Sequence, residues 1–103
     1  MIVEYIRYTI DPGRAQEFEE AYRRAAQALE ASDHCLAYEV TRCSEDASQQ
    51  IVRIEWDSAE GHLNGFRRSP EFQPFFEAVR PFVDSIDEMR HYDVLFSGAP
   101  TSV

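Results

Sequence analysis

Three histidines, one tryptophan and five tyrosines are the side chains of this 103-residue chain whose chemistry reaches beyond packing. An unperturbed imidazole titrates near ~6.5, so His62 and His91 are candidates to take or give a proton at neutral pH. His62 stands beside Gly61 in a short helical segment, and His91 lies between Arg90 and Tyr92 in a strand-like run. His34 falls in a polar break and reads as solvated. Trp56, the sole tryptophan, closes an alternating segment and offers a wide apolar ring with one N–H donor. Tyr8, Tyr22 and Tyr38 can each put a hydroxyl into a cavity. For every one of these residues the plain alternative is a packed or solvated side chain.

Composition removes several other chemistries. All ten cations are arginines, so Schiff-base formation and a lysine nucleophile are excluded. Cys35 and Cys43 sit at opposite ends of one eight-residue strand, roughly 26 Å apart. Bridged Cα atoms lie within ~7 Å, so these two cannot pair. There is no CxxC and no Cys/His cluster, and no metal site is expected. A net charge of −9 repels phosphate backbones and anionic bilayers, so neither nucleic acid nor a membrane is an expected partner. No apolar run approaches the ~18 residues of a membrane span, and Met1 leads straight into alternation without a basic and apolar leader. A cytoplasmic protein is expected.

The elements that must position these side chains follow from periodicity. Residues 2–10 form a strand with Ile2, Glu4, Ile6, Tyr8 and Ile10 on one face and Val3, Tyr5, Arg7 and Thr9 on the other. Neither row is plainly solvent-like, which points to cover on both sides. Asp11-Pro12-Gly13 starts a helix that runs to about Ala31, with Ala15, Phe18, Tyr22, Ala25 and Leu29 as its apolar stripe. Residues 35–42 and 49–56 are strands. The first presents Leu36, Tyr38 and Val40 on one face; the second presents Val52, Ile54 and Trp56. A short helix near 58–68 is weakened by Gly61 and Gly65. A second helix over about 70–82 carries Phe72, Phe75, Phe76, Val79 and Phe82, and Pro81 helps stop it. Residues 86–95 are the last strand, and residues 97–103 read as a flexible tail after a single domain over 1–96.

The order β-α-β-β-α-β is the ferredoxin-like arrangement, an α+β fold with a four-stranded antiparallel sheet and helices on one face. The other face would carry Val3, Tyr5, Arg7, Arg53, Glu55, Glu88, Arg90 and Tyr92. That row is too aromatic for water and holds charges of both signs. It predicts a homodimer in which two such faces close into a barrel about a two-fold axis. An open polar-aromatic face on a monomer is the alternative.

The run from Ile54 to Phe76 (IEWDSAEGHLNGFRRSPEFQPFF), with Pro12-Gly13 after the first strand and DEMRHYDV as the last, resembles the antibiotic biosynthesis monooxygenase family of dimeric α+β barrels. The resemblance covers about residues 2–95 and is more specific for fold than for reaction. It implies a pocket between helices and sheet in which a small aromatic substrate (a quinol, phenol or polyketide-like molecule) meets O2. It also implies no flavin, haem or metal, because the deprotonated substrate itself reduces oxygen. In that setting Trp56, His62 and His91 are the catalytic candidates, and Tyr8, Tyr22, Tyr38, Phe66, Phe72, Phe76 and Met89 the substrate-binding ones.

The carry-over is partial. Trp56 matches the tryptophan of the cofactor-free anthrone-type oxygenases, but their asparagine is Val52 here and their tyrosine is His62. The two histidine places of the quinol-type members are Phe66 and Glu71. The three positions that the haem-degrading branch needs are Ile6, Phe66 and Phe76, which disfavours that chemistry. A non-catalytic small-molecule-binding or accessory domain is the competing expectation.

Overall fold

The computed structural model describes residues 1–101, so the last two residues of the expected tail lie outside it. Strand β1 (Ile2–Thr9) is followed by a single 3-10 turn over Pro12–Arg14 and helix α1 (Ala15–Ala31). The Asp11 carboxylate accepts from the Gly13 N–H at 2.9 Å and so caps the entry. Strands β2 (Cys35–Arg42) and β3 (Gln49–Trp56) come next. A π-helical turn (Gly61–Phe66), helix α2 (Phe72–Val79), a 3-10 segment over Arg80–Ser85 and strand β4 (Ile86–Asp93) complete the chain.

The four strands form one antiparallel sheet in the order β2-β3-β1-β4. The helices cover one face, where Tyr8, Phe18, Val52, Ile54, Trp56 and Phe66 form the core. This is the expected ferredoxin-like fold. Among the described residues, no helix is long and apolar enough to cross a membrane.

Three local departures have physical causes. The segment around Gly61 is π-helical rather than α-helical, with the Arg67 N–H reaching the His62 carbonyl at 3.1 Å. Its two glycines make room for His34: a Cβ on Gly65 would collide with the His34 ring, and one on Gly61 with the Asp57 carboxylate. His34 lies in the turn before β2, as expected, and is only partly solvated. It is half-buried, and its Nδ1 pairs with Asp57 Oδ2 at 2.9 Å. In β2 the register shifts between Cys35 and Ala37, so Cys35 packs on the core and Leu36 is exposed, against the simple alternation. The second helix is shorter than its apolar spacing suggests, because the chain tightens into the 3-10 segment at Pro81.

Register assigns the second face as expected. Val3 lies between Glu55 and Tyr92, Tyr5 between Arg53 and Arg90, and Arg7 between Ile51 and Glu88. Tyr5 meets Tyr92 edge-on with centroids 5.4 Å apart. Arg53 donates to the Tyr5 hydroxyl at 3.3 Å and pairs with Glu55 at 3.2 Å. Tyr5, Ile51 and Tyr92 are exposed in the single chain.

Candidate active site

Glu4 is the one charged residue in the helix-facing row of β1, between Ile2 and Ile6. Register sets it opposite His91 of β4, and Ile2 opposite Trp56 at the end of β3. The π-helical turn brings His62 onto the same spot. The result is a chain of polar groups in an apolar setting. Trp56 Nε1–H donates to Glu4 Oε1 at 3.1 Å. His62 Nε2 faces the same oxygen at 3.6 Å. His62 Nδ1 and His91 Nε2 share a hydrogen bond of 2.7 Å. The His62 ring lies flat on the indole, with centroids 4.4 Å apart.

Burial sets the charge states. Glu4, Trp56 and His62 are buried, and His91 is half-buried. Desolvation pushes the His62 pKa down to about 3, and the positive charge of Arg67 and the neighbouring His91 act in the same direction. His91 is lowered by burial and then by Arg67. Burial raises Glu4 above the usual carboxylate range, against the opposing pull of the Trp56 hydrogen bond and of Arg67. Both imidazoles are neutral at pH 7. The tautomer that serves every partner has the His62 proton on Nε2, toward Glu4, and the His91 proton on Nε2, toward His62 Nδ1. His91 Nδ1 is then an acceptor at the half-exposed end.

That arrangement can move a proton inward. His91 Nδ1 accepts a proton, His91 Nε2 passes one to His62 Nδ1, and His62 Nε2 passes one to Glu4. Both rings end neutral, and the proton rests on the carboxylate whose pKa is raised. Transfer over the 3.6 Å step between His62 and Glu4 requires the pair to close by about half an ångström or more.

The same three side chains each offer a metal-ligand atom, all within 4.8 Å of one another. The cluster is compact: His62 turns one nitrogen to His91 and the other to Glu4, and register sets Glu4 directly opposite His91.

The other expected site residues are placed as follows. Tyr8 and Tyr22 are buried and their hydroxyls hydrogen-bond each other. Burial raises Tyr8 to about 12 and Tyr22 well above the ordinary phenol value. Tyr38, half-buried, donates to Glu30 at 3.0 Å. Phe66 packs on Trp56 with centroids 5.1 Å apart, and Phe72 stacks on Phe76 at 5.8 Å. Met89 is exposed on the side of β4 that it shares with His91. The structure thus gathers Trp56, His62 and His91, with Phe66 behind them. Tyr22 and Tyr38 line a separate groove against α1 that contains neither a histidine nor Trp56. Reasoning from sequence missed Glu4 and the reach of Arg67. A carboxylate inside the apolar row Ile2-Glu4-Ile6 was the available signal for the first.

A four-stranded antiparallel sheet under one helical layer, with a carboxylate–histidine–histidine cluster at one end, defines a small ferredoxin-like α+β domain. The chain belongs to the antibiotic biosynthesis monooxygenase family, whose model matches residues 1–78. It is 28% identical over 92 residues to the uncharacterized protein YczJ of Bacillus subtilis, a match spanning 89% of this chain and 97% of that one. Among solved structures it resembles a variant of SnoaB, a cofactor-independent oxygenase from Streptomyces nogalater. The TM-score is 0.76 and the identity 16%, with 93% of this chain and 94% of that chain covered. A conserved protein from Methanosarcina mazei Go1 superposes with a TM-score of 0.73 at 22% identity, covering 88% and 89% of the two chains. At these identities the structural likeness speaks for the fold.

Proposed function

We propose that the protein is a cofactor-independent monooxygenase that oxidises a small phenol, quinol or polyketide-like aromatic with O2. The observation that carries this reading is the His62–His91 hydrogen bond of 2.7 Å, backed by buried Glu4. The substrate hydroxyl gives its proton to His91 Nδ1, and the relay through His62 delivers one to Glu4. The phenolate is electron-rich enough to reduce oxygen. For a phenol with a free para carbon the balance is phenol plus O2 to quinone plus water: one oxygen atom enters the ring and the other leaves reduced. Trp56 fixes Glu4 and gives His62 a flat support, and Met89 offers an apolar edge beside His91 for the ring. Arg67 favours the developing anion.

Within this reading the protein works as a homodimer closed over the second sheet face, which the exposed Tyr5, Ile51 and Tyr92 support. Two unpaired cysteines suit a cytoplasmic setting. The second reading, a non-catalytic binding domain, draws support from the groove beside Tyr22 and Tyr38, which stands apart from the histidines.

Oxygen uptake against a panel of quinols and phenols, without added cofactor, tests the proposal. Uptake by the parent protein that falls about a hundredfold in His91→Ala and in His62→Ala supports it. Equal rates in all three proteins remove the relay, and a panel without uptake leaves the binding-domain reading.

A further inference from the structure

At the β2 edge of the sheet, on the helix-covered face, a groove has a polar floor. It lies between α1 and β2, has a volume of about 630 Å³, and shares none of its lining with the Glu4–His62–His91 chain. Its floor is Gln50, 1% exposed, set by register between Tyr8 and Arg42. The Gln50 Nε2 has no hydrogen-bond partner among the described residues. An unpaired buried amide donor costs a domain free energy on the scale of a lost hydrogen bond, and such groups are uncommon in folded proteins. The Tyr8 and Tyr22 hydroxyls nearby hydrogen-bond each other and not Gln50 Nε2. At the rim, Arg42 is held by Glu19 at 3.3 Å and Glu30 accepts from Tyr38. Arg23 has no carboxylate partner among the described residues. Ala26 and Val40 supply the apolar walls between.

We infer that this groove is a binding site for a small ring-bearing organic acid. Its neutral oxygen acceptor enters first and takes the hydrogen bond of Gln50 Nε2. The ring lies between Ala26 and Val40, and the carboxylate stays at the mouth beside Arg23. The site opens on the helix side, so it stays accessible when the second sheet faces pair. It does not depend on the oxygenase reading, since Glu4, Trp56, His62 and His91 lie outside the groove.

Nuclear magnetic resonance titration of the full chain with 4-acetylbenzoate is the test, with 4-ethylbenzoate (no inner acceptor) and 4-acetylbenzyl alcohol (no charge) beside it. Saturable shifts of the Gln50 side-chain amide and of the Tyr22 and Val40 backbone amides are expected with 4-acetylbenzoate. Gln50→Leu should weaken that ligand about tenfold, leave 4-ethylbenzoate unchanged, and keep or raise Tm, because it removes an unpaired polar group. Arg23→Gln should lose most of the preference for the acid over the alcohol, about fivefold. No saturable shift with any of the three compounds overturns the inference. So does a Gln50→Leu protein that melts lower yet binds 4-acetylbenzoate as before, for that would make Gln50 structural.

Discussion

The imidazole of His62 lies parallel to the indole of Trp56, 11° between planes, while the two rings address the same oxygen of Glu4. Trp56 is thus a reporter of the His62 charge state, since an imidazolium quenches a stacked indole more than an imidazole does. With the His62 pKa at about 3, any change in tryptophan emission between pH 8 and about 4 belongs to Glu4, whose raised pKa lies under the Trp56 hydrogen bond, and should persist in His62→Leu. A midpoint near ~6.5 that disappears in His62→Leu would contradict the depressed pKa.

Stability follows from the same shift. The unfolded chain binds a proton at His62 below ~6.5, and the folded chain only below about 3. Unfolding therefore takes up a proton in that window. The His62 contribution is constant above ~6.5, falls as pH drops toward 3 and levels off below it. Urea denaturation at stepped pH should show a slope of up to about 1.4 kcal/mol per pH unit in the window. That slope should be absent from His62→Leu.

Glu4 is buried with a single indole donor and an imidazole edge for company. Glu4→Ala leaves Trp56 Nε1 unpaired in the core and opens a cavity, and should cost about 2–4 kcal/mol in urea melts. Glu4→Gln keeps an acceptor for Trp56 and should cost about 1 kcal/mol or less. In oxygen uptake, Glu4→Gln should nonetheless be as impaired as His62→Ala, because a carboxamide cannot take the relayed proton.

His34 and Gly65 form a size-matched pair. Gly65→Ala should destabilise by about 1 kcal/mol, because the new Cβ displaces the His34 ring and breaks its bond to Asp57. In a His34→Ala background the ring that the new Cβ strikes is gone and the change gains helix propensity, so it should cost less or be stabilising. A double-mutant cycle with no coupling between positions 34 and 65 would refute this account of the π-helical turn. The partner Asp57 has its pKa lowered first by the His34 hydrogen bond. What that pairing adds is present above the ordinary carboxylate pKa and is lost as pH falls through the lowered one.

The second sheet face leaves Tyr5, Ile51 and Tyr92 exposed in the single chain, and the proposed homodimer covers them. Light scattering should report twice the 11.9 kDa chain mass at micromolar concentration. Ile51→Glu should shift that equilibrium toward the monomer by about tenfold or more, since it buries an unpaired charge. A protein that scatters as a single chain would remove the dimer.

Alternation along β1 and β3, the helical stripe ending at Leu29 and the turns between them were legible in the sequence, because each is a local pattern of period two or 3.6. So was the mixed face of Tyr5, Arg53, Arg90 and Tyr92, which needs only the parity of each strand. The site was half legible: Trp56, His62 and His91 stood out by residue type. That Glu4 joins them was decided by the register of β1 against β4, a pairing across 87 residues that no local pattern encodes. The notch that seats His34 and the unpaired amide of Gln50 likewise arise only where separate elements meet. Local spacing determines which face a side chain takes, and tertiary packing decides what it finds there.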